Sequence, residues 1–509
     1  MPSQQKYTLR PLSTVVSQRQ LRQVCLGFLC LVGITAAYTV AAQQNLPSMG
    51  EPADNALSPI QEKQLGAQFM RQIRASMPLV RDVPTSEYIQ SLGNRLALAS
   101  GKASHLDFSF FVINDHEINA FAIPGGYVGI NIGLIDAMSR EEQLAGVIAH
   151  EVAHVTQRHH ARAFAIGNQY SVRTAATILA AILIGQASAE AGQAALAAGM
   201  AATQQSAINF TRTNEIEADR IGIEILTNAQ YDPTAMAESF AILRRKNRLN
   251  TSRGALQYLR THPLDNNRIA EAKDRANVKT VVSSTSQTDF QIFKARLAVL
   301  ATEDSGQLLR TFQARNKGNS TTETLYGIAL LHAQANRFDE ALNYLDKLKD
   351  RIKSHPVAEL TRADVLEKRG QLDASAAVLA ALHEEDPLRF SVVEKLTDLL
   401  TRQRKLSQAM TTSKNYLRRA PRPNPMAWRQ LASIEQRLGL QAASHESLSR
   451  YFVGLNEGGR AVSQLKLALQ YVEPGSNDEL RLEARLNELR GILPGESDKQ
   501  SEDAERGNN

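Results

Sequence analysis

EEQLAGVIAHEVAHVTQRHHARA, residues 141–163, carries a helical apolar period through Leu144, Val147, Ile148, Val152 and Val155. Inside it, His150, Glu151 and His154 form H-E-x-x-H. Four residues turn a helix by about 400°, so both imidazoles leave one face and can share a metal ion. Glu151 stands beside them, placed to accept a proton from an attacking water. The apolar residues between the histidines point to a buried helix, and a buried histidine pair wants a ligand or a partner. A surface helix with two unrelated histidines would not need those residues.

A catalytic zinc site takes a third protein ligand and leaves a fourth position open. His160 lies six residues after His154, the spacing of H-E-x-x-H-x-x-G-x-x-H, but Gln157 stands where that pattern needs glycine. No Gly or Pro interrupts the helix before Gly167, so His160 is expected to point away. Asn214-Glu215-Ile216-Glu217-Ala218-Asp219 is the stronger source. Glu215 and Asp219, four apart, share a helix face, so one can bind metal while the other braces a ligating histidine. Glu215 is the favoured ligand, and Glu217, on the opposite side, is expected to be solvated near Arg220. His262, in Thr261-His262-Pro263, is a candidate donor to the tetrahedral oxyanion and for the open metal position; the alternative is a loop histidine without a role.

Residues 106–132 read as strands. Phe108, Phe110 and Val112 alternate, and Asn119–Ile123 and Tyr127–Ile132 flank Pro124-Gly125-Gly126. An extended peptide could pair with the strand that begins Asn119, Ala120, Phe121 and Ala122, since main-chain pairing demands little of its sequence. Beyond this region the spacing turns helical again, and a repeat emerges. Ala341, Ser375, Ala409 and Ala443 follow one another at intervals of 34, and Pro387 and Pro421 are also 34 apart. Small residues at that period mark tetratricopeptide helix pairs, which stack into a solenoid with a concave binding face.

The chain has 509 residues, 43% hydrophobic and 22% charged, which excludes a wholly disordered or collagen-like protein. Two cysteines exclude a disulfide framework. Lys6, Arg10, Arg19 and Arg22 precede the uncharged stretch Val24–Ala42, which ends in small residues: a secretory leader, with an uncleaved anchor as the alternative. Its removal takes both cysteines and four positive charges, and the formal net charge falls from +6 to +2. No nucleic-acid partner is expected from so weak a field. Between Arg173 and Arg212 the only charge is Glu190, so residues 174–210 are either a buried helical hairpin or helices making peripheral membrane contact. The expected organisation is a signal peptide at 1–42, a peptidase domain at 43–275, a linker at 276–288, an α-solenoid at 289–493 and a disordered tail at 494–509. The fold class is mainly α with a small β-sheet: a gluzincin-like H-E-x-x-H domain followed by tetratricopeptide repeats.

HEVAH at 150–154, NEIEAD at 214–219 and NAFAIPGGYVGINIGLI at 119–135 together resemble the HtpX and CAAX-prenyl-protease family of zinc metallopeptidases. The resemblance implies one zinc ion per chain, held by His150, His154 and Glu215, with Glu151 as general base and Asp219 as the supporting acid. Integral-membrane members of that family have spanning helices, which this chain lacks in clear form. The order of leader, peptidase and repeats resembles that of a periplasmic member. It implies an exported endopeptidase with chaperone activity, unfolded or misassembled outer-membrane proteins as substrates, and repeats that dock on the β-barrel assembly machinery. The alternative is a repeat-based chaperone or adaptor with little proteolysis.

Overall fold

The structure, a computed structural model, describes residues 57–102, 107–166, 204–249, 256–277 and 287–492. The expected leader, most of the charge-poor segment 174–210, most of the linker and the expected tail lie outside the described residues. Among the described residues, no helix is long and apolar enough to cross a membrane.

Two helices come first, α1 (Pro59–Ser76) and α2 (Val83–Ala99). Each starts on a side-chain cap: the Ser58 hydroxyl accepts from Gln61 N–H, and the Asp82 carboxylate from Thr85 N–H. Three strands follow, β1 (Ser109–Ile113), β2 (Ala120–Ile123) and β3 (Tyr127–Asn131). β3 lies in the middle, parallel to β1 and antiparallel to β2. The β2–β3 turn runs through Gly125 (φ +81°) and Gly126 (φ +86°), a left-handed pair that side chains rarely tolerate.

After a short α3 (Ile132–Ala137) comes α4 (Glu141–Thr156), the helix of the H-E-x-x-H motif. All of α4 is buried, which explains an apolar pattern wider than one stripe. It is surrounded by α2, β2, α6 (Gln204–Asn228) and α7 (Thr234–Leu249). α5 (His159–Ile166) follows α4 directly. At Gly222 of α6 a Cβ would lie 3.3 Å from the His150 amide nitrogen, so this glycine lets α6 lie on the α4 backbone beside the motif. Two more helices, α8 (Gln257–Thr261) and α9 (Asn266–Asn277), close this half.

The second half is a run of paired helices: α10 (Gln287–Ala301), α11 (Ser305–Gly318), α12 (Thr322–Gln334), α13 (Phe338–Ile352), α14 (Pro356–Lys368), α15 (Leu372–Glu385), α16 (Phe390–Arg402), α17 (Leu406–Arg419), α18 (Pro425–Arg437), α19 (Gln441–Gly454), α20 (Gly458–Leu469) and α21 (Asn477–Ile492). Ala341, Ser375 and Ala409 are fully buried at the helix crossings. The fourth such position is Ser444, not Ala443, because α19 starts 35 residues after α17 where the earlier interval is 34. Ser375 and Ser444 play the same part, donating to the carbonyls of Ala363 and Ala432 at 2.9 Å. The turns from α12 to α13, α14 to α15, α16 to α17 and α18 to α19 each hold one left-handed residue, Asn336, Gly370, Arg404 and Gly439. α10 serves both halves: Phe290, Phe293 and Leu297 join the peptidase core, and Ile292 and Ala295 join the first repeat.

Candidate metal and peptidase site

α4 delivers His150, Glu151 and His154, α6 delivers Glu215 and Asp219, and the end of α8 delivers His262; all are buried. His150 Nε2 lies 3.0 Å from His154 Nε2, 3.4 Å from Glu215 Oε2 and 3.3 Å from His262 Nδ1. Glu215 Oε1 lies 3.3 Å from His154 Nε2 and 3.0 Å from His262 Nδ1. One atom each of His150, His154, Glu215 and His262 thus lies within 4.8 Å of the other three. Glu151 Oε1 is 3.5 Å from His262 Nε2.

The residues fit a metal ion. Imidazole nitrogens that crowd to 3.0 Å beside a carboxylate need a proton or a cation between them. Three buried carboxyl groups, Glu151, Glu215 and Asp219, share the site, and among the described residues one guanidinium, that of Arg268, pairs with the last two, so there is room for a divalent cation to balance the acids. Burial opposes charge on His150, but Asp219 and Glu215 outweigh it and raise its pKa to about 10. Burial, with the charges of His150 and His262, drives His154 far the other way although Glu215 resists. Burial would push Glu215 up; His262, His150 and His154 outweigh it and hold the carboxyl well below the usual range.

Each histidine on α4 is held from behind. Asp219 Oδ1 is 2.9 Å from His150 Nδ1, and Arg268 clamps Asp219 with two bonds of 2.8 Å. Behind His154 stands His159, Nδ1 to Nδ1 at 2.7 Å, and behind that Glu217 and Arg162. Glu217 is therefore not a solvated neighbour of Arg220, which pairs with Glu224. Nor does the helix run on past the motif: it stops at Thr156, Arg158 turns left-handed at φ 52°, and α5 begins at His159. His160 is not among the four converging residues.

His262 stacks on Tyr258 at 4.7 Å between ring centroids, and the Tyr258 N–H donates to the Ile118 carbonyl, next to Asn119. The buried side-chain amide of Asn119 has no hydrogen-bond partner among the described residues. Ala120, Phe121 and Ala122 lie in β2, at one edge of the sheet, with their side chains buried. Arg268 and His159 were not singled out from the sequence. Arg268 meets a partner 49 residues away, and His159 depends on a turn that no glycine announces.

A sequence profile described as Peptidase family M48 matches residues 84–276. The β-barrel assembly-enhancing protease of Escherichia coli (strain K12) is 34% identical over 472 residues, covering 91% of this chain and 94% of that protein. The chain belongs to peptidase family M48. The mitochondrial metalloendopeptidase OMA1 of Schizosaccharomyces pombe is 31% identical over 195 residues, 38% of this chain and 53% of that one. The crystal structure of a tetratricopeptide repeat protein from Parabacteroides merdae covers 57% of this chain and 96% of its own, with 17% identity and a TM-score of 0.26. As an M48 peptidase the chain is a metalloendopeptidase, with the small sheet and helical repeats expected of its fold class.

Proposed function

We propose that this chain is a zinc endopeptidase of the periplasm that acts on unfolded or misassembled outer-membrane proteins. The convergence of His150, His154, Glu215 and His262 beside Glu151 carries the reading. The name of the Escherichia coli relative, a protease that enhances β-barrel assembly, supports the substrate class. His150 Nε2, His154 Nε2 and the Glu215 carboxylate would hold the zinc ion. When bound, zinc polarises the scissile carbonyl and makes water a nucleophile at neutral pH. Glu151 takes the proton of the attacking water and returns it to the leaving amine. His262, the fourth converging residue, would help to hold the ion at rest and would donate to the oxyanion during attack. Asp219 keeps His150 oriented. Substrate backbone pairs along Asn119–Ala122, where the unpartnered amide of Asn119 supports a contact to peptide. The repeats hold the client or the β-barrel assembly machinery.

Zinc analysis with a casein-cleavage assay on wild type and Glu151→Gln tests this. Glu151→Gln is expected to keep its zinc and lose at least about 100-fold in turnover. Wild type without zinc, or a variant as active as wild type, would refute it. The size of the repeat array favours a second, compatible role as chaperone or adaptor. In that case Glu151→Gln still binds clients and still supports assembly.

A further inference from the structure

We infer that His159, Glu217 and Arg162 form a positioning arm that fixes the ring orientation and tautomer of His154. The inference rests on the metal reading of the cluster. His154 Nε2 faces His150 and Glu215, so a metal ligand there must present its lone pair from Nε2 and carry its proton on Nδ1. His159 Nδ1, 2.7 Å away, must then accept that proton's hydrogen bond. Its own proton is left on Nε2, 3.2 Å from Glu217 Oε2. Arg162 pins Glu217 from the far side. Each of the two ring protons meets an acceptor, and only one set of tautomers satisfies both contacts.

The backbone is shaped for this contact. Continued as a helix from His154, residue 159 would lie about 500° further on, roughly 140° off the His154 direction. The left-handed Arg158 breaks the helix and returns His159 to the site. Arg158 is itself tied down, donating to the Leu57 carbonyl at 2.7 Å and to Glu62 Oε2 at 3.2 Å. The arm also gives Glu217 work. Glu215 faces the metal position, Asp219 braces His150, and Glu217 braces His154 through His159, so all three acids of one α6 segment serve the site. The two braces differ, since His150 meets a carboxylate directly and His154 meets one through a neutral imidazole.

The test uses the full chain and reads metal, not turnover. Zinc affinity is measured against a chromophoric chelator, and the visible spectrum is recorded with cobalt in place of zinc. His159→Ala is expected to raise the zinc dissociation constant about 10- to 100-fold and to alter the cobalt bands. In His159→Asn the Oδ1 atom stands where Nδ1 stood and accepts the same bond, so this variant recovers most of the affinity and the wild-type spectrum. Glu217→Gln, a same-size change at a part-exposed position, weakens zinc by a few-fold. If His159→Ala, or Glu217→Gln where the former does not fold, holds zinc as wild type does, the arm is overturned and the metal site stands. Equal losses in His159→Ala and His159→Asn overturn it too, by showing a packing role. A wild type that binds no zinc overturns the metal reading and the arm together.

Discussion

Arg268 gives its whole guanidinium to the site. Nε and Nη2 grip the two oxygens of Asp219, Nη1 reaches Glu215 Oε2 at 2.8 Å and the Pro263 carbonyl at 2.7 Å, and the plane lies over the Phe240 ring. Removing one partner of a buried ion pair strands the other, which costs about 3–5 kcal/mol. Arg268→Ala is therefore expected to lose about that much stability in urea unfolding of the metal-free protein. Arg268→Lys recovers only part, because one ammonium cannot span both carboxylate oxygens in parallel. A loss under about 1 kcal/mol for Arg268→Ala would mean that Asp219 and Glu215 find other partners.

Among the elements, the repeat helices meet at positions with room for very little. Ala341 of α13 is fully buried against Ala333 and Val365. Ala341→Leu should destabilise the chain by about 1–3 kcal/mol through overpacking, read as a shifted denaturation midpoint, while Ala341→Ser should stay close to wild type, as Ser375 does at the equivalent place. This period was legible in the sequence because every unit states it again. α4 was legible because its signal, H-E-x-x-H on an apolar helix, needs only neighbours within a turn. The register at Ser444 was not, since one extra residue between α17 and α19 leaves no mark on composition. The break at Arg158 was hidden for a physical reason. A non-glycine residue in the left-handed region is held there by Glu62, nearly a hundred residues away, and local propensity carries no trace of that tether. The peptidase core also reaches past its polar linker into α10, because an apolar period tells that a helix is buried and not which core buries it.

Taken as one molecule, the array returns to the peptidase half at several places among the described residues, two of them far apart in the chain. At the first, Arg296 of α10 clamps Asp82 at the start of α2, Glu87 accepts from the Ser391 N–H of α16, and Val83 enters a cluster of Phe390, Val393, Tyr416 and Ala427. At the second, the turn after α19 rests on α1 and β3: Arg74 and Arg71 donate to the carbonyls of Leu455 and Asn456, and the Asn456 amide donates to the Tyr127 hydroxyl at 2.7 Å. The first contact is where pH is expected to act. Glu394, on α16, is raised from 4.5 to about 7, by burial first, then by Asp82, Glu87 and Asp398, against the pull of Lys395. A carboxyl that holds its proton more tightly when folded makes the unfolded state the better acid, so stability is lost as pH rises from about 4.5 to about 7. Glu394→Gln removes that titration. The variant should match wild type near pH 4.5 and exceed it by about 1–2 kcal/mol at pH 8, a figure reduced from the full shift because the side chain is partly exposed. Urea midpoints of the two proteins across that range decide it: a difference that stays constant with pH would mean that Glu394 ionises freely against α2.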